Sequence, residues 1–338
     1  MSTPQGAPSP ILFFDTVNAY QRTAAVRAAV ELELFTAVGE GNMTAREIAE
    51  RCKASERGVR ILCDYLTVVG FLQKASGHYA LTPDSEVFLD KRSPAYVGGA
   101  VEFLLSPTLL SAFDDLTSAV RKGGTTMPDE GSLAPEHPVW VSFARGMAPL
   151  QALPAQILAG MVEVAPGRDV RLLDVAAGHG LFGVAFARQY ENVRVVAQDW
   201  KNVLAVAQEN ARAAGVEARF ETLPGSVFDV ELGGPYDLIL LTNFLHHADV
   251  PTCEGLLRKL RGALADGGRV VTVEFVPDED RVSPPAPAMF PLVMLASTPA
   301  GDAYTFSEFE SMFRNAGYSR SELRPLLPGL NHVIISHK

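Results

Sequence analysis

The sequence predicts an α/β protein: a doubly wound sheet in the C-terminal half, preceded by a helical module of winged-helix layout. Three observations carry this expectation. From Asp169 onward, strand-like apolar runs alternate with amphipathic stretches, the pattern of a sheet covered on both faces by helices. The stretch LLDVAAGHGLFG (172–183) carries a G-x-G-x-x-G at Gly178, Gly180 and Gly183, placed where such a sheet binds its ligand. Ahead of it, helical periodicity and a short hairpin occupy residues 11–83.

Residues 1–10 are rich in Pro, Gly and Ser and are expected to be mobile. Apolar residues recur at three and four spacings from Ile11 to Phe35 and predict helix there. In MTAREIAERC (43–52), Thr44 and Glu47 form a capping-box pattern. A second cap, Ser55, opens the helix of SERGVRILCDYLTVVGFL, with Gly70 near its end. LQKASGHYALTP (72–83) predicts a hairpin around Ser76–Gly77. This order is that of a winged helix, whose familiar use is DNA binding. Residues 1–96 carry ten Lys/Arg against eleven Asp/Glu, so the basic footprint of a DNA reader is missing. A packing or dimerisation module is the remaining reading.

Residues 97–165 read as a helical linker or lid segment. The loop-like PDEGSLAPEHP (128–138) interrupts it, and Val139–Met161 is rich in Ala, Leu and Met. The third segment, 166–338, holds the sheet. Its strand-like runs are RLLDVA (171–176), VRVVAQ (193–198), EARFET (217–222), YDLILLT (236–242) and GRVVTVEF (268–275). Its helix-like runs are LFGVAFARQY, NVLAVAQENARAAG and VPTCEGLLRKLRGALADGG, the last stopped by Gly267–Gly268. This alternation predicts a parallel sheet. The tail adds a helix, TFSEFESMFRNAGY, and two last strands ending in NHVIISHK.

Composition narrows the partners. The 338 residues are 47% hydrophobic with a net charge of −10, so the molecule repels nucleic acid and anionic membrane. Cys52, Cys63 and Cys253 form no C-x-x-C pair. They suit a reducing cytoplasm and argue against a disulfide framework or a cysteine-rich zinc site. No signal peptide is visible, and no apolar run reaches the roughly 18 residues of a membrane span.

The glycine loop poses a question of charge. Asp174 stands four residues before Gly178, at the end of the first strand. A carboxylate there opposes a pyrophosphate by about a few kcal/mol and attracts a cation. S-adenosylmethionine has no phosphate and carries a sulfonium and an ammonium, so Asp174 favours that cofactor over a dinucleotide. The glycines then let backbone approach the amino acid portion of the ligand. Asp199 ends the second strand and can accept both ribose hydroxyls, a role it would also have with a nicotinamide dinucleotide. Trp200 either stacks on adenine or packs as an ordinary aromatic. Ser226 and Phe228 follow the third strand, where an adenine contact is expected; an ordinary turn is the alternative.

At this point the residues match something known. DVAAGHG, AQDW, LHHADVPTC, VVTVEF and TFSEFESMFRNAGY, in that order behind a winged-helix front, resemble the O-methyltransferase family of plant caffeate-type and bacterial small-molecule enzymes. NFLHHADVPTCEGLLRKL with TPAGDAYTF looks more narrowly like a bacterial branch of it. The resemblance implies a class I methyltransferase Rossmann-like fold, a homodimer through the N-terminal helices, and no metal. It implies His246 as general base and Glu274 as the carboxylate that orients it. His247 is the alternative base, and a structural carboxylate capping nearby amides is the alternative for Glu274. Adjacent side chains after a strand are expected to point apart, so only one histidine should face the substrate. The resemblance also places Asn243, Phe143 and Met147 at the cofactor, the last two within Phe143-Ala144-Arg145-Gly146-Met147.

The departures are local. A second carboxylate of the plant pattern is replaced in Ala303-Tyr304-Thr305, and Gln151 stands where the family has Ser. His247 and Ala248 replace the Asp and Trp that usually follow the base. The acceptor pocket is expected between the helical segment and the strand ends, walled by Met147, Met289, Phe290 and Met294, with His247 nearby. An apolar or aromatic acceptor fits it. Three rival readings stand beside this one: a non-methylating enzyme on the same cofactor fold, a cofactor-sensing winged-helix regulator, and a dehydrogenase suggested by the glycines alone.

Overall fold

The computed structural model describes residues 8–128 and 136–338. Residues 1–7 of the expected mobile terminus and most of the expected 128–138 loop lie outside them. The chain forms two compact units, Met1–Val101 and Glu102–Lys338, so the segment that follows Val101 belongs to the second unit.

In the first unit the helix expected over 11–35 is divided into α1 (Ile11–Val17), α2 (Ala19–Glu31) and α3 (Leu34–Gly39). Glu33 causes the second break, adopting a left-handed φ of 52° ahead of α3. Helix α4 (Ala45–Cys52) opens on the complete Thr44–Glu47 capping box, and α5 (Glu56–Val68) on Ser55, whose hydroxyl accepts from the Gly58 amide. Strands β1 (Leu72–Ala75) and β2 (His78–Leu81) pair antiparallel. Ser76 and Gly77 between them both take positive φ, 49° and 80°, as a two-residue hairpin turn of matching twist requires. Helix α6 (Pro83–Phe88) follows. Arg60 of α5 and Lys74 of β1 both pair with Asp64, so these cations are committed to an acid rather than offered to phosphates. None of the α1 side chains is buried, and Ile11, Leu12, Phe13 and Phe14 are exposed.

The second unit begins with short helices α7 (Val101–Leu104), α8 (Pro107–Ser111) and α9 (Leu116–Lys122), then the long α10 (Val139–Met161). The sheet follows as β3 (Val170–Val175), α11 (Leu181–Gln189), β4 (Val193–Asp199), α12 (Lys201–Ala213), β5 (Phe220–Pro224) and β6 (Tyr236–Thr242). It continues through α13 (Val250–Ala263), β7 (Leu264–Glu274), α14 (Pro285–Met289), α15 (Pro291–Ser297), α16 (Phe306–Asn315), β8 (Arg320–Leu327) and β9 (Asn331–His337). Strand order is β5-β4-β3-β6-β7-β9-β8.

The first five strands of that order are parallel, as expected. The last two, whose direction the sequence leaves open, are antiparallel: β9 runs antiparallel to β7 and to β8. Only residues 328–330 join β8 to β9, too few for the crossover a parallel return needs. Two boundaries also move. Residues 217–219 form a 3₁₀ turn, so the third strand starts at Phe220. Helix α13 ends at Ala263, and Gly267–Gly268 fall inside β7, where the register with β6 shifts, rather than stopping the helix.

Alternate residues feed two cores. Leu172, Leu238 and Leu240 face one layer of helices, while Leu173, Ile239 and Leu241 face the other, which is why these strands read as continuous apolar runs. Strand order reverses between β3 and β6. The ends of β3, β4, β6 and β7 therefore bring Asp174, Asp199, Asn243 and Glu274 to one edge of the sheet. Among the described residues no helix is long and apolar enough to cross a membrane.

Candidate active site

Asp174 is wholly buried rather than presented at the tip of its strand. Its Oδ2 accepts the Gly183 amide at 3.0 Å, and its Oδ1 is buried without a partner among the described residues. Burial raises its pKa to about 7, against the lowering effect of that amide. Asp199 accepts the Gly178 amide on Oδ2 at 2.8 Å and the Trp200 amide on Oδ1 at 2.6 Å. Burial lifts it to about 6 despite both amides. Two carboxylates are thus held in a poorly hydrated place with no cation beside them among the described residues. S-adenosylmethionine, expected from the sequence, fits this demand: it brings positive charge, whereas a pyrophosphate would add a third anion.

The glycines divide by task. A Cβ on Gly183 would lie 2.8 Å from Val195 Cγ1 and 3.0 Å from Asp174 Oδ2, so this glycine lets α11 close onto the sheet. Gly180 has φ 71°, and its Cβ would meet that of Ala207 at 2.8 Å. Both positions leave no room for a side chain, whereas Gly178 (φ 57°) is more open, its nearest neighbour being Phe143 Cε1 at 3.6 Å. His179 between them is buried, and burial drives it down to about 4, so it stays neutral. Its Nδ1 accepts the Leu181 amide, and its ring lies parallel to Phe143.

At the ends of β6 and β7 lies the histidine turn, a 3₁₀ element spanning Leu245–His247. His246 is 4% exposed and Glu274 fully buried, with Nδ1 of the one 2.6 Å from Oε2 of the other. A carboxylate in contact with Nδ1 keeps the proton there and leaves Nε2 with its lone pair. Glu274 Oε1 accepts the Phe244 and Leu245 amides at 2.9 and 2.8 Å. One oxygen of Glu274 thus caps amides while the other contacts the imidazole.

The expected divergence of the two histidines is not observed. Their ring centroids are 4.2 Å apart, because a 3₁₀ turn does not alternate its side chains as a strand does. His247 Nδ1 lies 3.1 Å from the Phe244 carbonyl, which can only accept, so that nitrogen carries the proton. Burial, then the neighbouring His246, hold His247 well below the usual imidazole range. Trp140 stands edge-on to it at 5.4 Å.

A family model described as the O-methyltransferase domain matches residues 134–319, and one described as the O-methyltransferase dimerisation domain matches 14–91. The chain belongs to the O-methyltransferase family. It is 31% identical to 3-hydroxy-5-methyl-1-naphthoate 3-O-methyltransferase of Streptomyces sahachiroi, over 99% of this chain and 97% of that one. It is 27% identical to the acetylserotonin O-methyltransferase of Mus musculus molossinus, over 92% and 84%. Among solved structures, a provisionally named O-methyltransferase from Nostoc punctiforme PCC 73102 superposes with a TM-score of 0.95 at 54% identity, covering 98% of this chain and 100% of that one.

In this methyltransferase the other expected site residues are placed unequally. Phe290 meets the His246 ring edge-on at 4.8 Å and stacks on Phe275 at 4.1 Å. Met294 is buried, Met147 half-buried on α10, and Met289 is 68% exposed. Asn243 holds a left-handed φ of 53°, and its buried Oδ1 has no partner among the described residues. Trp200 packs on a small cluster with Trp140, Val203 and Val206. Ser226 Oγ accepts the Phe228 amide, and Phe228 is 46% exposed. Among the described residues no group of three or more His, Cys, Asp or Glu is placed to hold a metal ion.

Sequence reasoning missed Trp140, Phe275, Gly301 and Tyr304. Trp140 had a signal: it stands three residues before Phe143 in α10, on the same helical face. The other three stand in stretches the resemblance rests on, VVTVEF and TPAGDAYTF, but only the fold brings them beside the histidine turn.

Proposed function

We propose that this methyltransferase moves a methyl group from S-adenosylmethionine to a hydroxyl of a small aromatic acceptor, with His246 as general base. The enzyme is an O-methyltransferase, and its cofactor is S-adenosylmethionine, which supplies an electrophilic methyl on a good leaving group. Asp174, Gly178 and Asp199 would hold it, with Phe143, Met147 and Asn243 alongside. The observation that carries the reading of the base is the 2.6 Å contact between His246 Nδ1 and Glu274 Oε2. It fixes the ring and leaves Nε2 able to take a hydroxyl proton, an effect worth about 10²–10⁴-fold. The remaining acceleration comes from alignment of acceptor and methyl donor.

Phe290 beside His246, with Phe275 stacked behind it, and Trp140 beside His247 offer aromatic faces at the base. They suit a flat aromatic acceptor better than a sugar. The relatives point the same way, being named for a hydroxynaphthoate and for acetylserotonin. The match to a dimerisation domain and the exposed apolar side chains of α1 support a homodimer through the first unit. The ten Lys/Arg against eleven Asp/Glu of residues 1–96 disfavour the regulator, and the buried acids disfavour the dehydrogenase.

The test is incubation with methyl-labelled S-adenosylmethionine and a panel of hydroxynaphthoates and other phenols, followed by mass analysis of the products. Label on a phenolic oxygen supports the proposal. Cofactor binding without transfer to any phenol, with label found on nitrogen or carbon of other acceptors, overturns it.

A further inference from the structure

The segment Thr298–Thr305 lies directly against the histidine turn. The Asp302 amide donates to the His246 carbonyl at 2.9 Å. Tyr304, itself 4% exposed, donates its hydroxyl to the Ala248 carbonyl at 2.6 Å. The Gly301 amide donates to Thr298 Oγ1 at 2.8 Å, which shapes the bend between them. Gly301 is required for this approach, because a Cβ there would collide with the His246 carbonyl oxygen and the His247 backbone.

Other polar backbone groups of the turn are also engaged. Glu274 Oε1 gathers the Phe244 and Leu245 amides from below. The Leu245 carbonyl accepts from Cys253 Sγ at 3.2 Å, and the Phe244 carbonyl from His247. Glu274 thus fixes the amide side of the turn, and the Gly301–Tyr304 segment fixes its carbonyl side. Arg281 ties that segment down in turn, pairing with Asp302 and with Glu308 at the start of α16. Here the sequence had registered only a lost carboxylate, at Ala303.

We infer that Tyr304 is a positioning residue for His246, clamping the base turn from the side opposite Glu274, with Gly301 as the contact that admits the clamp. The inference rests on the reading of His246 as base. Its geometry is nevertheless separable from turnover, because the clamp acts on the ring's hold on Glu274. A base displaced by a fraction of an ångström loses rate on the order of ten- to a hundredfold, while cofactor contacts at β3 and β4 are untouched.

The experiment uses the full-length protein with ¹⁵N-labelled histidine. The low-field Nδ1–H resonance of the His246–Glu274 pair is assigned by its loss in His246→Gln. It is then followed in Tyr304→Phe and Gly301→Ala, with S-adenosylmethionine affinity measured by calorimetry. The clamp predicts a broadened or upfield-shifted resonance in both variants, with affinity within about twofold of wild type. With any phenol that wild type methylates, kcat falls at least tenfold, and the deficit shrinks as pH rises and the phenol ionises unaided. An unchanged resonance in both folded variants overturns the inference. So does a loss of cofactor affinity equal to any loss of rate, which would mark a general structural role. An inactive wild type on every phenol counts against the proposed function alone, since the resonance is read without an acceptor.

Discussion

Replacing Asp174 with Asn separates what this residue costs the fold from what it gives to binding. Burial raises its pKa from 3.8 to about 7, a difference of about three units at 1.36 kcal/mol each. Keeping it ionised in the cofactor-free protein therefore costs roughly 4 kcal/mol as an upper figure. The folded pKa lies above the unfolded one. The cost is thus absent below about pH 4, grows as pH rises, and is complete above about pH 7. An asparagine can keep the Gly183 hydrogen bond through its oxygen. Its amide nitrogen inherits the position of the unpartnered Oδ1 and costs about 1–3 kcal/mol.

The cofactor-free variant is accordingly expected to be about 1–3 kcal/mol more stable than wild type at pH 8. Between pH 5.5 and 8 that advantage should grow by about 2 kcal/mol. Urea unfolding at both pH values and one protein concentration measures it. The same variant should bind S-adenosylmethionine at least tenfold more weakly. A stability difference that does not change with pH, together with retained affinity, would refute the view that this carboxylate waits for a cation.

Four further outcomes are expected. Wild-type affinity for S-adenosylmethionine should fall as pH drops from 8 to 5.5, because cation binding needs Asp174 and Asp199 ionised and both are raised, to about 7 and 6; calorimetry should show a shallower fall for S-adenosylhomocysteine, which lacks the sulfonium. Glu274→Gln should lower kcat by about 10²-fold or more with cofactor affinity little changed, since its amide would turn the His246 tautomer around; steady-state kinetics with separate binding titration checks this. Gly183→Ala should destabilise the protein by about 1–3 kcal/mol, because its methyl would crowd Val195 and Asp174; thermal melts would show it. Deleting residues 1–17, which removes the exposed apolar side chains of α1, should weaken a homodimer, read as a shift in mass by light scattering.

The sequence made legible whatever is local and periodic. The Thr44–Glu47 capping box, the Ser55 cap and the Ser76–Gly77 hairpin follow from side chains within a few residues of one another, and all three are present. The βα alternation gave the parallel strands because each is buried on both faces. Legibility ended where distant segments decide the outcome. The antiparallel β8–β9 pair depends on what packs beside β7, and Gly267–Gly268 read as a helix stop only while their strand partner in β6 was unknown. At the site, His246 and Glu274 are 28 residues apart and were linked through resemblance rather than periodicity. Asp174 was read as a charge at a strand tip, but its burial and its bond to Gly183 depend on how closely α11 packs. Gly301 and Tyr304 stand in the quoted TPAGDAYTF, but their contacts with the backbone of the histidine turn leave no mark in composition.

The most direct test of the central claim, that a His246 held by Glu274 removes the acceptor's proton, is a pre-steady-state comparison of wild type and His246→Gln at saturating S-adenosylmethionine. The account predicts a methyl-transfer step slowed about 10²–10⁴-fold with unchanged cofactor affinity, and a deficit that narrows at high pH as the phenol ionises in solution. A variant that transfers methyl at the wild-type rate across the pH range would contradict it.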